Sequence, residues 1–544
     1  MLHYFVVIIL CIASVFSQNV SDPFKLSIIH FNDFHARFEE TTPSGGTCKQ
    51  TGQCIGGFSR LYKQIMTMLE ETPNAVLLNA GDDFQGTIWY SMGRWNVTQT
   101  FMNKLPIDAE TLGNHEFDNG IGGIVPYIKA LQYPIVVSNM DDSDEPEIQN
   151  IYQKSVVIER FGKKIGIIGV VRKDYPILAS TGKLKFYDES ESINKEAERL
   201  VEEESVFTNI ILSHCGYEID QQLARNASEK ISIIVGAHSH TFLFTGDNPP
   251  GPAEVEGPYP TIVTSKHGHN ILITQASAYC RYLGNITIFL DEDGEILEYS
   301  GAPIFLDSNL LQDDDINAAL EPWKILFDNQ GNQVVGSSFV KLDSTSCYRQ
   351  ECTLGNYVTD AMVYEYSKNV AENVWTNAAI AFTNPGGLRT DIEVGDITYN
   401  DMVTACPFEN TLDFGVIQGK YLKELLEYTV APYSKDKPNA SLKLLQVSGI
   451  QVVYDLSRIV GDRVISAKIR CQNCTIPIYE DLDENKDYPL VINSFIAEGG
   501  SGYQILIDNL KNRTIGPVDI DVLVEFTTRK YRIFQEEFGR ITFK

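Results

Sequence analysis

Past its first seventeen residues, the 544-residue chain lacks any run of about 18 apolar residues, the length that a membrane-spanning helix needs. That argues against a helical anchor in the mature region. The C-terminal stretch Phe538–Lys544 is polar and charged, so it offers no hydrophobic tail for a lipid-anchor signal. Basic residues are scarce: 44 Lys and Arg stand against 72 Asp and Glu, a formal net charge of -28. A chain this acidic is a poor binder of nucleic acid or anionic membranes. Internal repeats and low-complexity tracts are also missing. The one apolar run, Tyr4–Phe16, is too short to span and ends in Ser17-Gln18. It reads as a signal peptide over residues 1–17, although no Lys or Arg precedes it. The expectation is an exported protein without an anchor.

Cysteines are few and mostly close-spaced. Of ten, Cys11 falls in the signal, and Cys48/Cys54, Cys347/Cys352 and Cys471/Cys474 read as short-loop disulfides in an oxidising compartment. Cys215, Cys280 and Cys406 remain, an odd number that leaves at least one thiol free or intermolecular. Sequons occur at Asn19, Asn96, Asn226, Asn285, Asn439, Asn473 and Asn512. Asn473 lies inside the Cys471–Cys474 loop and is the least suited to a glycan. Asn96, Asn226, Asn285, Asn439 and Asn512 are the glycosylation candidates.

What is abundant in the first half is β-branched runs alternating with amphipathic stretches. Leu26–His30, Ala75–Leu78, Ile135–Val137, Ile165–Val170, Ile210–Leu212 and Ile231–Val235 read as buried strands. Ser59–Glu71 and Ser192–Glu204 read as helices. The alternation predicts an α/β domain over residues 18–310. The acidic segment that follows, with a helical core at Ile316–Phe327, predicts a linker helix over 311–335. A second α/β domain then runs over 336–544.

Short polar motifs follow closely after several of these strands, where α/β folds place ligands. They are Asn32-Asp33-Phe34-His35, Gly81-Asp82, Gly113-Asn114-His115-Glu116-Phe117-Asp118, Ser213-His214 and Gly236-Ala237-His238-Ser239-His240. Asp33, His35, Asp82, Asn114, His214, His238 and His240 supply more donors than one tetrahedral ion needs. Two ions about 3.5–4 Å apart, bridged by a carboxylate, fit that number. Mixed nitrogen and oxygen donors favour Zn²⁺, Mn²⁺ or Fe over Ca²⁺. His115 is left over as a non-ligand that stabilises charge or protonates a leaving oxygen, with Asp118 on its other ring nitrogen. His30, His267 and His269 read as ordinary polar residues.

In this order the motifs resemble the metallophosphoesterase domain of the 5′-nucleotidase/apyrase family, and the match runs through essentially the whole mature chain. Without an anchor tail, the chain looks like the secreted apyrases of blood-feeding arthropods. The resemblance implies a layered sandwich holding two metals and a C-terminal nucleotide-binding domain. One ion would sit on Asp33, His35, Asp82 and His240, the other on Asp82, Asn114, His214 and His238. His115 and Asp118 would form the catalytic dyad. Zn²⁺ is the first expectation, with Mn²⁺, Ca²⁺ or Mg²⁺ as activators. Asn384-Pro385-Gly386-Gly387-Leu388-Arg389 resembles the family's phosphate loop. Phe408 and Phe495 match two aromatics that sandwich the base, and the family's disulfides match the three close Cys pairs. Two positions depart. Tyr348 stands where close vertebrate relatives have Arg, which leaves Arg349 as the candidate phosphate ligand. Ser501 replaces an Asp that grips the ribose, so it makes at most an uncharged bond. The implied activity is hydrolysis of extracellular ATP and ADP to AMP and phosphate, which would suppress ADP-driven platelet aggregation. The alternatives are a 5′-nucleotidase acting on AMP, a phosphoesterase for other substrates, and a non-catalytic platelet-receptor antagonist. The chain carries no Arg-Gly-Asp, and every metal position is filled. Nucleotides are the expected partners.

Overall fold

The computed structural model describes residues 22–49, 52–228, 230–370, 372, 374–435 and 442–544. The signal-peptide reading and Asn439 therefore lie outside the described residues. Eight strands carry the first domain: β1 (Phe24–Phe31), β2 (Val76–Asn79), β3 (Ala109–Glu110), β4 (Lys163–Val171), β5 (Thr208–His214), β6 (Ile231–Val235), β7 (Asn270–Thr274) and β8 (Tyr282–Leu290). One sheet runs Ile296–Ser300, β8, β1, β2, β3, and a second runs Thr261–Thr264, β7, β6, β5, β4, Ser155–Arg160. Within each sheet the central strands are parallel: β1 with β2 and β3, and β4 through β7. Ile135–Val137, expected as a strand, makes only isolated bridges to Glu110 and Gln153. The segment and Ser138 after it divide their backbone hydrogen bonds among Glu110, Gln153 and Gly169, so no single neighbour builds a continuous ladder with it.

Alternation along the strands decides the layering. Leu26 and Ile28 of β1 point into a core shared with Ile165, Ile167, Ile210, Leu212 and Ile233 of the second sheet. Their neighbours Ile29 and Phe31 point the other way, onto Phe58, Leu61, Ile65 and Phe101 of flanking helices. In the second sheet Ile168, Val170 and Ile211 face Ile193, Ala197, Leu200 and Leu223 of two more helices. The result is a helix–sheet–sheet–helix sandwich. Helix Phe58–Glu71 buries Phe58, Leu61, Ile65 and Met68, a single stripe at helical spacing. Helix Glu189–Glu204 starts where the Asp188 side chain accepts from the Glu191 amide.

Helix Asp314–Gly331 connects the halves. The Asp313 carboxylate caps it by accepting from the Asp315 and Ile316 amides. The second half is built on a sheet ordered Gln446–Ser448, Ile380–Thr383, Asp487–Asn493, Leu412–Gln418, Lys511–Thr514. One apolar cluster runs from Phe31 and Trp89 through Leu320 and Phe327 of the connecting helix to Leu342, Tyr357 and Met402. The halves thus share a core. Cys48–Cys54, Cys347–Cys352 and Cys471–Cys474 form disulfides, and Cys215, Cys280 and Cys406 are free and buried. Asn96, Asn226 and Asn512 are exposed, while Asn285 is half-buried on β8. Among the described residues, no helix is long and apolar enough to cross a membrane.

The inter-sheet core sets a clear stability contrast. Ile167→Ala, at a fully buried position, should lower unfolding free energy by about 2–5 kcal/mol. Ile262→Ala, on an exposed edge strand, should stay within about 0.5 kcal/mol. Guanidinium unfolding of the two variants checks both values.

Candidate metal centre and adjoining cleft

The parallel strands of both sheets end at one place, and their C-terminal ends deliver the predicted ligands there. Asp33 and His35 follow β1, Asp82 follows β2, and Asn114 follows β3. His214 ends β5, and His238 and His240 follow β6. Asp33, His35, Asp82, His238 and His240 all have φ between 49° and 72°, a region that non-glycine residues rarely adopt. Such strain persists only where the surroundings over-determine it, at about 1–3 kcal/mol each.

Donor atoms gather into overlapping groups. Asp33, His35 and His240 form one, Asp82, His214 and His238 a second, and His35, Asp82 and His115 a third, each with its ligand atoms within 4.8 Å of one another. The His35 and His240 Nε2 atoms are 3.2 Å apart. Asp33 Oδ1 lies 3.2 Å from His240 Nε2. Asp82 Oδ2 lies 3.1 Å from His214 Nε2 and 3.8 Å from His35 Nε2, midway between the groups.

Neighbouring groups fix the orientation of each ligand. His35 Nδ1 donates to the Phe84 carbonyl at 3.1 Å, and His214 Nδ1 to the Ala80 carbonyl at 2.6 Å, so each turns Nε2 inward. Asp33 Oδ2 accepts from Asn32 Nδ2 and the His238 amide, which leaves Oδ1 toward the imidazoles. Asn114 Oδ1 and His238 Nδ1 are buried with no hydrogen-bond partner among the described residues. Burial, and then Arg389, keep His35 well below the usual imidazole range. Burial opposes a charge on His214 too, yet the Asp82 carboxylate pulls it up to about 10. Neutral imidazoles, orphaned buried donors and a pull toward positive charge suit a cation, so the residues fit a two-ion site.

One carboxylate of the Gly113–Asp118 motif, not among the expected ligands, holds the loops together. Glu116 accepts from the amides of Asp82 (3.0 Å), Asp83 (2.8 Å), Phe84 (3.1 Å) and Gly113 (2.6 Å). Gly113 must be glycine, because a Cβ there would fall 2.0 Å from Asp82 Oδ1. Burial and the Asp82 charge push the Glu116 carboxyl up to about 7, against His214 and the Phe84 and Asp82 amides. Behind it Asp83 and Glu110 share Asn79 and Tyr127 as donors. No periodicity or spacing could have shown this lattice, because its partners are backbone amides from distant loops.

His115 stands at the edge of the centre. Its Nδ1 is 2.8 Å from Asp118 Oδ2, and its amide donates to Asp82 Oδ1 at 2.9 Å. Burial works against its protonation, but Asp118 and Asp82 outweigh burial and hold its pKa above the usual value.

A cleft of about 580 Å³ opens from this edge. Asn114, His115 and Asp118 form one wall, and Asn384, Arg389, Phe408, Phe495 and Ser501 of the second domain form the other. Phe408 stacks on His115, with centroids 5.3 Å apart and an interplanar angle of 23°. Arg389 lies 5.7 Å from the Phe408 ring centroid and 3.2 Å from His35 Nε2. Arg389 also lines a second cavity of about 730 Å³ with Arg172, His238, His240, Tyr279 and Tyr348. Arg349 does not join either wall. It is exposed, because the turn Thr345–Tyr348 directs Tyr348 inward and leaves the next residue outside. Tyr279, which packs on His35 and His240, carried no sequence signal beyond being aromatic.

A double-sheet sandwich with paired, histidine-rich cation sites at its strand ends defines a metal-dependent phosphoesterase. The calcineurin-like phosphoesterase family matches residues 26–242, and the 5′-nucleotidase C-terminal domain matches residues 334–508. The chain is 45% identical to an apyrase of Tabanus yao over 525 residues, covering 96% of this chain and 95% of the relative. It is 35% identical to the 5′-nucleotidase of Rattus norvegicus, covering 95% and 90%. The crystal structure of a 5′-nucleotidase precursor from Thermus thermophilus superposes with a TM-score of 0.86 at 30% identity, covering 96% and 99%. The chain belongs to the 5′-nucleotidase and apyrase family.

Glu116→Gln tests the clamp. A carboxamide would turn donors toward amides that need acceptors, so metal affinity should drop about 10–100-fold. Metal content by mass spectrometry after dialysis, alongside a thermal melt, reads the effect.

Proposed function

We propose that the protein is a secreted, divalent-metal-dependent apyrase that hydrolyses ATP and ADP to AMP and phosphate. The observation that carries this reading is the cleft itself, in which Arg389, Phe408 and Phe495 face His115 beside the clustered ligands. Asp33, His35, Asp82 and His240 would hold one ion, and Asp82, Asn114, His214 and His238 the other, with Asp82 shared. Such ions lower the pKa of a bound water and offset charge on the phosphoryl oxygens. Zn²⁺ suits the imidazole-rich donors, with Mn²⁺, Ca²⁺ or Mg²⁺ as activators.

The chain's own groups do the rest. Arg389 is a rigid fork suited to a terminal phosphate, and Asn384 sits beside it in the same wall. His115, held by Asp118, donates its Nε2 proton to the leaving oxygen. Phe408 and Phe495 offer faces for the base. Ser501 reaches the ribose without charge, which weakens hold on AMP relative to a longer phosphate chain gripped by Arg389. Export, glycans at exposed sequons and removal of platelet-activating ADP follow from this reading together with the Tyr4–Phe16 segment.

Phosphate release from ATP, ADP and AMP by the purified protein, with and without chelator, tests the assignment. Release from ATP and ADP but not AMP, lost with chelator and restored by a divalent ion, is expected. Release from AMP would move the reading to a 5′-nucleotidase, and no release with metal bound would sink both. His115→Ala should lower kcat by about 10²–10⁴-fold while metal content stays unchanged. Ser501→Asp should tighten nucleotide binding by about tenfold, seen as a lower KM, since a charged acceptor adds about 1.5 kcal/mol over a neutral one.

A further inference from the structure

Helix Ile88–Met102 breaks at Arg94, where φ is 50° and ψ is -148°. That combination lies close to a region essentially reserved for glycine. The side chain at the break reaches the second domain. Arg94 Nη2 donates to both carboxylate oxygens of Glu409, at 3.1 and 2.8 Å. Its Nη1 lies 3.4 Å from Asn119 Oδ1, which also accepts from Tyr90 Oη at 2.7 Å. Asn119 directly follows Asp118 of the dyad. Glu409 lines the cleft and directly follows Phe408. It too sits on strained backbone, at φ 55°. Among the described residues, its only salt bridge is to Arg94.

The two side chains are 37% and 40% exposed. An ion pair that open to water adds little to stability on its own. Strain at both partners works against stability. A fold gains little from such a pair, so stability explains it poorly, and position explains it better. Strained backbone clusters where geometry serves a site. This pair stands one residue from the Phe408 ring, which stacks on His115 at 5.3 Å, and it reaches the residue beside the carboxylate that holds His115. Arg94 lines neither cavity at the centre, so it acts only through these neighbours.

We infer that Arg94 is a positioning residue for the base-binding wall, an inference that rests on the nucleotide reading of the cleft. Through Glu409 it ties the Phe408 turn of the second domain to the dyad loop of the first. The Phe408 ring is thereby held at a set place relative to His115, and a stacked base with it. Without the tie the ring keeps its face but loses its place, so the nucleotide binds less tightly while the dyad stays intact.

The test uses the metal-loaded full chain as Arg94→Gly, Arg94→Lys, Glu409→Gln, and Arg94→Gly with Glu409→Gln. Arg94→Gly removes the tie and the strain together. It should raise KM about tenfold for the nucleotide that the wild type cleaves, with kcat within about twofold and Tm within about 2 °C of wild type. Arg94→Lys still reaches Glu409 and should recover most of the loss. The double variant should be no worse than either single one, because both cut the same link. Inorganic phosphate, which has no base, should bind Arg94→Gly as tightly as wild type in calorimetry. In a crystal of Arg94→Gly the Phe408 ring should leave the His115 face. An unchanged KM, additive losses in the double variant, or weaker phosphate binding together with a lowered Tm would each overturn the role. If the wild type cleaves no nucleotide, the nucleotide reading fails by itself and the crystal decides: Phe408 still stacked on His115 in Arg94→Gly overturns the positioning.

Discussion

Four backbone amides converge on one buried carboxylate, and the geometry of the candidate centre depends on it. Glu116 takes N–H groups from the loop after β2 and from the loop after β3. Those loops belong to different strands and would otherwise be free to drift. Bound to a common acceptor, they present Asp82, Asn114 and His115 in fixed relation. The arrangement also answers a general demand. Amides at strand ends have left the sheet ladder, and buried amides need partners. Glu116 satisfies several at once, where water would do so only with mobility.

The second constraint is crowding. Carboxylates and imidazoles are packed with little solvent, and several sit on strained backbone. Strain of that kind is stable only because two sheets, pressed together over a dry aliphatic core, hold the strand ends in place. The second domain adds its own contribution at the same point. Arg389 reaches His35, and Phe408 lies on His115, so the two halves meet at the chemistry as well as along the connecting helix.

Much of this was legible in the primary structure, for identifiable reasons. Strands such as Ile165–Val170 and Ile231–Val235 announce themselves because continuous β-branched runs have few other uses. The polar motifs that follow them are legible because imidazoles and carboxylates clustered after buried strands fit poorly into a core. The structure brings Asp33, His35, Asp82, His214, His238 and His240 into overlapping groups, with Asn114 at the rim of the cleft. Ile135–Val137 has the same composition but splits its backbone hydrogen bonds among several partners, which composition does not show. Arg349 stands next to the motif position, yet it is exposed and lines neither cavity. The roles of Glu116 and Tyr279 lie in contacts between segments far apart in the chain, which periodicity does not encode.

The clustered ligands all come from residues 33–240, whereas the opposite wall of the cleft comes from residues 384–501. The clustered donors and the opposite wall of the cleft are therefore encoded in separate stretches of the gene. A substitution in either stretch alters one side of the cleft without replacing a residue of the other. The shared core around Phe327 restricts that freedom in one way. Exchange between relatives succeeds only where the new half still packs on the connecting helix.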